Sequence, residues 1–445
     1  MKISLKGLRE FLKAVEVFLF LIAGPTAVFY YISTKWPPFL DISYHVVVTI
    51  LVLQAGLSYW YSTSVFREIK FKPLPAAQNK PVPRATFIVV AYLPNELKII
   101  EATILNILQK IKRPRDGIEL IFVYNTPHME ELELKMRELT YKWPELILAN
   151  AYGSRSKGEN LNYAIDLASG EMIALFDADH LAPADCLERA WRWLDEGYDV
   201  VQGRCKIRNG PESFISSLVE PEFEVIYGIH HPSKSVIFDT ALFGGSNGYW
   251  RSSALKKTKF SESMLTEDID GTLRALLSGY RFANDRSIVA TELAPTTIAG
   301  LWYQRKRWSQ GWFQCSLKYQ AAVLKTKYLN VRQKFLWTTL LSWRVTYDII
   351  SSLLFPILFA FWMRVGRAVL PLDPYIVFAL IFTIFSGPYQ AMVAYKNAAS
   401  PRGSVFLYLN YAFLVWPYTL FRTMIHMVAI RDELTGERKW IVSKR

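Results

Sequence analysis

The chain of 445 residues predicts a mixed α/β domain with a mostly parallel sheet, inserted between α-helical transmembrane segments. Two observations carry this expectation. Long apolar runs stand near both ends, and between them short apolar runs alternate with segments of helical periodicity. A proline-rich stretch, "FKPLPAAQNKPVPRA" at 71–85, separates the first apolar block from the alternating region, as a linker does.

Taken in order, residues 14–32 ("AVEVFLFLIAGPTAVFYYI") hold one charge, Glu16, and residues 44–66 ("YHVVVTILVLQAGLSYWYSTSVF") hold none. About 20 apolar residues span a hydrocarbon core as a helix, so 1–70 is expected to be a transmembrane hairpin. No small-residue cleavage site follows the first run, and a second span does, which speaks against a signal peptide. Lys2, Lys6, Arg9 and Lys13 precede the hairpin, and Arg67, Lys70, Lys72, Lys80 and Arg84 follow it; its loop holds only Lys35 against Asp41. Positive charge is retained in the cytoplasm, which puts the N-terminus and the chain after residue 66 there.

From 71 to 300 a cytosolic domain is expected. Its strands are read at 86–92 ("TFIVVAY"), 118–125 ("IELIFVYN"), 146–150 ("LILAN") and 171–179 ("EMIALFDAD"), with helices over 95–111 and 129–142. Sheets of this kind bind ligands beyond the carboxyl ends of their strands. That rule lines up Tyr92, Asn125, Asp177 and Asp179 along one crevice. Residues 301–345 read as interfacial helices, and 346–363 and 374–395 as a second pair of spans within 346–396. Residues 404–430 are apolar but contain Asn410, Pro417, Arg422 and His426. A crossing there would place the basic end (Arg431, Arg438, Lys439, Lys444, Arg445) outside. An interfacial amphipathic helix is therefore expected within 397–445, giving four spans and both termini in the cytoplasm.

The net charge of +13 lies largely beside the spans, which fits anionic lipid and a phosphorylated substrate. No nucleic-acid motif accompanies it. Cys186, Cys205 and Cys315 fit neither a zinc site nor a disulfide framework and read as reduced and structural. A transporter or nucleotide-gated membrane protein without chemistry is the alternative of another class. The scarcity of charge inside the spans, with Glu16 and Asp348 near span ends, argues against it.

Several short segments carry chemistry. In "FDADH" (176–180), Asp177 and Asp179 can hold one Mg²⁺ or Mn²⁺ at a strand end, or form an ordinary acidic loop. In "TEDID" (266–270), Asp268 can take a proton from an attacking hydroxyl, beside Glu267; equally, Thr266 followed by acids is helix-capping chemistry. "FGGSNGYW" (243–250), with Gly245, Ser246 and Asn247, either lets backbone approach a ligand or is a glycine-rich turn with core aromatics. "GSRSKGENLNYA" (153–164) brings Arg155 and Lys157 before a helix, to meet a diphosphate or to face solvent. In "YQRKRWSQGW" (303–312), lipid headgroups would explain the cations and tryptophans. Gln304, Arg307 and Trp308, however, stand at i, i+3 and i+4 and share one helix face, suited to a phosphorylated leaving group and a sugar ring. Lys306, off that face, is expected at lipid.

The order of "VAYLPNE", "SKGENLNYA", "FDADH", "GGSNGYW", "TED" and "QRKRW" resembles membrane-integrated family-2 glycosyltransferases, the cellulose, hyaluronan and chitin synthases and cellulose-synthase-like mannan synthases. The resemblance implies a GT-A (Rossmann-like) fold and an inverting, metal-dependent hexosyltransferase. It implies that Tyr92 contacts the nucleotide base, with Asn125 beside it, and that Lys157 meets the diphosphate. Asp177 and Asp179 would hold Mg²⁺ or Mn²⁺, Asp179 as direct ligand, and Asp268 would be the base. Gln304, Arg307 and Trp308 would form an acceptor and diphosphate platform together with Gly245, Ser246 and Asn247. Trp440, Val442 and Ser443 would match a gating segment. The implied donor is a nucleotide-diphospho-sugar, UDP-sugar favoured and GDP-mannose possible. The acceptor is a polysaccharide, with a lipid-linked acceptor as the alternative. A plasma-membrane location follows, with a homo-oligomer or accessory subunit as a possible partner. Asn125, where many members carry an acid, and the extra Leu-Pro of "VAYLPNE" depart from the pattern.

Overall fold

The computed structural model describes residues 5–67, 71–76, 80–127 and 131–438. Seven strands form one sheet: β1 Ala85–Tyr92, β2 Ile118–Asn125, β3 Leu146–Asn150, β4 Met172–Asp177, β5 Val200–Ile207, β6 Gly248–Arg251 and β7 Phe282–Glu292. Their order is β3-β2-β1-β4-β6-β5-β7. All pairs are parallel except those of β6, which runs antiparallel to β4 and β5. β1 and β2 are buried along almost their whole length, because helices cover both faces, and this is why they read as unbroken apolar runs. One face packs on Ile100–Lys110 and Cys186–Asp195. The other packs on Lys157–Leu167, Glu267–Leu277 and the long helix Ile298–Lys325.

The first four strands lie where their apolar runs predict. The register sets Tyr92 opposite Asn125 and Val90 opposite Asp177, so the carboxyl ends of β1, β2 and β4 share one edge. The single helix expected over 95–111 is divided into Leu93–Glu96 and Ile100–Lys110. The extra Leu-Pro builds that first turn, with Leu93 fully buried and the Glu96 carboxylate accepting from the Tyr92 N–H at 2.9 Å. Strand β5 escapes a reading by alternation because its polar residues are buried with partners. Gln202 donates to the Ser246 carbonyl at 3.0 Å, Arg204 pairs with Glu224, and Lys206 donates to the Ala399 carbonyl at 3.0 Å.

Among the described residues, five helical segments are long and apolar enough to cross a membrane: Gly7–Lys35, Pro38–Phe66, Val331–Val365, Pro374–Lys396 and Val405–Leu434. The fifth is tied to the α/β domain at both ends. Just before it, the Asn397 and Ala399 carbonyls accept from Arg204 and Lys206 of β5. Near its end Asp432 binds Lys13 at 3.2 Å and Lys306 at 2.8 Å. Phe406, Leu409, Phe413 and Leu420 are exposed along one side, whereas Tyr408, Tyr411, Val415 and Tyr418 are buried in the cluster that holds Phe214–Val225. This helix, about 45 Å long, therefore meets the α/β domain side at both ends and keeps one apolar stripe exposed.

Lys306, expected at lipid, is instead buried. Its ammonium lies 2.8 Å from both Glu10 and Asp432, tying the long helix to the first and last membrane-associated helices. A cation with two carboxylates in reach gains more there than at a headgroup.

Candidate active site

The site forms where β4 ends against the start of Glu267–Leu277. Lys157 opens its helix, capped by Ser156, whose hydroxyl accepts from the Glu159 N–H. The Lys157 ammonium stands 2.6 Å from Asp177 and 3.2 Å from Glu267 and donates to the Gly245 carbonyl at 3.3 Å. Burial opposes its charge, but Asp177, Glu267 and then Asp268 outweigh burial and raise its pKa. Asp268 responds in the opposite sense. Burial and the charge of Glu267 push it up to about 7, against the pull of Lys157 and Arg307. Three carboxylates thus crowd one ammonium, and one of them is held at the edge of protonation near neutral pH.

Gly245 makes this approach possible. Its φ is +89°, and a Cβ built on it would meet the Asp268 Oδ2 at 2.9 Å. Ser246 sits behind the acids, its hydroxyl accepting from the Asp177 N–H at 3.1 Å. Asp268 itself accepts from the Ile269 N–H at 2.9 Å. Thr266 stands at the helix start but caps nothing with its side chain. Its hydroxyl lies 3.9 Å from the Cys315 sulfur instead, against Gly311 of the long helix.

Asp270 fixes this helix. It is fully buried and bound by Arg274 at 2.7 Å, Lys318 at 2.8 Å and the Tyr319 hydroxyl at 2.6 Å. The long helix then brings Arg307, which donates to the Leu265 carbonyl at 3.3 Å, beside Asp268. Trp308 lies one residue on, 6.2 Å from the Phe223 ring, with Arg305 stacked on it at 4.3 Å.

Lys157, Asp177, Gly245, Glu267, Asp268 and Arg307 therefore converge, with Ser246 in support, while Trp308 packs against Phe223 and Arg305. Tyr92 stands half-buried at the β1 end. Asn125 is engaged at both ends, donating to the Ser154 carbonyl at 3.0 Å and accepting from Asn160 at 2.8 Å, so it frames the crevice. Gln304 is buried and accepts from Arg305 at 2.9 Å. Asn247 does not face the crevice. At φ +50° its amide is locked between the Arg204 and Ile288 carbonyls and the Tyr249 hydroxyl, which makes it a brace of the turn. Trp440, Val442 and Ser443 lie outside the described residues.

Asp179 is fully buried. One oxygen accepts from the Leu293 N–H at 3.0 Å and the other lies 3.1 Å from His180 Nδ1. Behind it His180, Cys205 and Glu292 bring their ligand atoms within 4.8 Å of one another. Burial disfavours the His180 cation, but Glu292, Cys205 and Asp177 together outweigh that and lift its pKa to about 9. Cys205 and Glu292 stand apart from the acidic motifs in sequence, so nothing in the chain joined them to His180 of "FDADH", and Asp270 lies inside "TEDID" without a role read for it. The three cysteines are free and buried, and Cys205, read from its spacing as structural, lies in this group of potential ligand atoms.

The residues present fit a divalent cation. Asp177, Glu267 and Asp268 outnumber the cations facing them, and burial and then the charge of Glu267 raise Asp268. Oxygen donors on a strand end are what Mg²⁺ and Mn²⁺ take.

Comparison with known proteins agrees with this fold. The model of glycosyl transferase family group 2 matches residues 172–425, and that of glycosyl transferase family 2 matches residues 86–255. Poly-beta-1,6-N-acetyl-D-glucosamine synthase of Staphylococcus aureus is 27% identical over 280 residues, 60% of this chain and 66% of that protein. The synthase of the same name from Staphylococcus epidermidis is 27% identical over 285 residues, 61% of this chain and 66% of its own length. Among solved structures, the mannosyltransferase PcManGT of Pyrobaculum calidifontis, in complex with GDP-Man and Mn²⁺, superposes with a TM-score of 0.56 at 22% identity. It covers 90% of this chain and 100% of its own, a likeness of fold.

Proposed function

The chain belongs to glycosyl transferase family group 2, and from that premise we propose an inverting, metal-dependent β-glycosyltransferase that extends a polysaccharide at a membrane. The observation that carries it is the Asp268 carboxylate, raised to about 7 and set between Gly245, Lys157 and Arg307. A group of that pKa is suited to accept a proton from a sugar hydroxyl near neutral pH. Lys157 and Arg307 offer positive charge to a departing nucleotide diphosphate. Asp177, beside Glu267, would hold Mg²⁺ or Mn²⁺, which when bound supplies further charge stabilisation of that diphosphate; Asp179, expected as the direct ligand, is instead buried with both oxygens taken by the Leu293 N–H and His180. Trp308 offers an aromatic face to the acceptor sugar, and Tyr92 stands where a nucleotide base would lie. Attack opposite the leaving diphosphate inverts the anomeric centre.

The donor is a nucleotide-diphospho-sugar, with UDP-sugar first and GDP-mannose second. PcManGT binds GDP-Man, while the relatives' name, poly-beta-1,6-N-acetyl-D-glucosamine synthase, supports a polymeric product. We place the α/β domain in the cytoplasm by the charge around the first hairpin, with four spans and the Val405–Leu434 helix at the surface. Purified full-length protein incubated with UDP- and GDP-sugars plus Mg²⁺ or Mn²⁺, with nucleotide diphosphate release and product length measured, tests this. A polymer is expected. A single sugar on lipid would sink the extension of a polysaccharide, and no release from any donor would sink the whole.

A further inference from the structure

On the membrane side of the platform, basic side chains from four elements meet with too few carboxylates. Lys234 follows Ser233, whose hydroxyl donates to the Tyr61 carbonyl at 2.9 Å. The His230 ring meets Tyr61 at 5.6 Å, edge to face, and its Nε2 lies 3.2 Å from the Gln390 amide. Arg344 stacks over Trp312 at 4.9 Å, about 7 Å along the long helix from Arg307. Arg422 stands 3.0 Å from Glu222, and its side chain remains 45% exposed. Glu222 is shared, because Arg305 at 2.6 Å and the Tyr418 hydroxyl at 2.7 Å bind it too. Asp348 is approached by Thr423 at 3.3 Å and His426 at 3.6 Å. Neither Lys234 nor Arg344 has a carboxylate within ion-pair distance among the described residues. Four cations (Lys234, Arg305, Arg344, Arg422) therefore face two carboxylates. The fields overlap: burial and then Arg344 bring Lys234 down to about 7, and after burial Lys234, Arg344, His231 and Arg422 all depress His230. Cations inside a membrane bundle mark a ligand path when they face its interior.

The depth of this cluster points to the ligand. Tyr61 and Gln390 lie five and six residues before the ends of Pro38–Phe66 and Pro374–Lys396, about 8 Å inside them, at the level of lipid headgroups. Arg422 belongs to Val405–Leu434, which meets the α/β domain side at both ends. We propose that Lys234, Arg344 and Arg422 form an anion subsite for the phosphate of a lipid-linked acceptor, seated beyond Trp308 and Trp312 so that a sugar between phosphate and reaction centre lies on the aromatic faces. A net positive cluster suits the single negative charge of the phosphodiester that joins a sugar to a lipid. The subsite gives the acceptor of the glycosyl transfer reading its chemical class and rests on that reading for its purpose, though not for its existence.

The test uses the full chain in phosphatidylcholine nanodiscs. Binding of a decaprenyl phosphate bearing one sugar, inorganic phosphate and an oligouronic acid is measured beside binding of nucleotide sugar. Wild type is expected to bind the lipid phosphate, to bind inorganic phosphate far more weakly, and to ignore the oligouronate. Lys234→Gln and Arg344→Gln should each weaken the lipid phosphate at least tenfold, and Lys234→Arg should restore it. If Arg344→Gln fails to fold, Lys234→Gln, which removes a side chain without an ion pair, decides. Nucleotide-sugar binding without lipid-phosphate binding would overturn the subsite, as would unchanged affinity in the variants or a preference for free phosphate or oligouronate. Lipid-phosphate binding without nucleotide-sugar binding would support the subsite while overturning the transferase reading.

Discussion

Replacing Asp268 by Asn separates chemistry from stability at one atom. The carboxyl is moved from its ordinary 3.8 to about 7 by burial and by Glu267. Three units at 1.36 kcal/mol each correspond to about 4 kcal/mol of penalty on the charged form, as an upper bound. Because the folded value lies above the unfolded one, the penalty is absent below about pH 4, grows between about 4 and 7, and is complete above about 7. Asn carries no charge at any pH. Asp268→Asn is therefore expected to raise stability at pH 8 by up to about 4 kcal/mol and at pH 5 by less than about 2 kcal/mol. Turnover should fall by roughly 10²–10⁴-fold. Melting of detergent-solubilised protein in EDTA at both pH values, beside nucleotide diphosphate release, measures all three. An Asn variant that melts at or below wild type at pH 8, or that gains equally at both pH values, would refute the assignment of buried charge. Full turnover in that variant would remove Asp268 as the base.

Other outcomes rest on the same geometry. With the base raised to about 7, kcat/KM should fall about tenfold per pH unit below that value and level off above it; a profile flat from pH 5 to 8 would contradict it. Gly245→Ala places a Cβ at φ +89° and 2.9 Å from Asp268 Oδ2, so about 1–3 kcal/mol of stability and most of the turnover should be lost, read by melting and product release. Glu222→Ala leaves Arg305 and Arg422 without their shared carboxylate, a loss of about 3–5 kcal/mol visible in denaturant titration. Chelation should stop turnover and added Mn²⁺ restore it, whereas Asp177→Asn should weaken the metal concentration dependence itself.

Much of the fold was legible in the chain. The first four strands are apolar runs buried on both faces, so composition alone marks them. Their carboxyl ends had to align, because parallel strands of one sheet run the same way, and that alone put Asp177 near Tyr92 and Asn125. The convergence of Lys157, Glu267 and Asp268 was legible only as a resemblance of motif order, since those residues are distant in sequence.

What the sequence by itself determined is the set of elements and the chemistry they carry: apolar runs that must leave water, acids at a strand end, and glycines where backbone approaches a ligand. Tertiary structure decided which charges meet. Lys306 left lipid for Glu10 and Asp432, Asn247 turned from ligand to brace, and the Val405–Leu434 helix was tied at both ends to one side. The physical reason is range. Hydrophobic periodicity acts within one element, whereas the energy of a buried charge depends on every charge that folding brings within a few ångströms of it. That is also why the pKa of Asp268 and the excess of cations around Lys234 and Arg344 belong to the fold and to no segment of it.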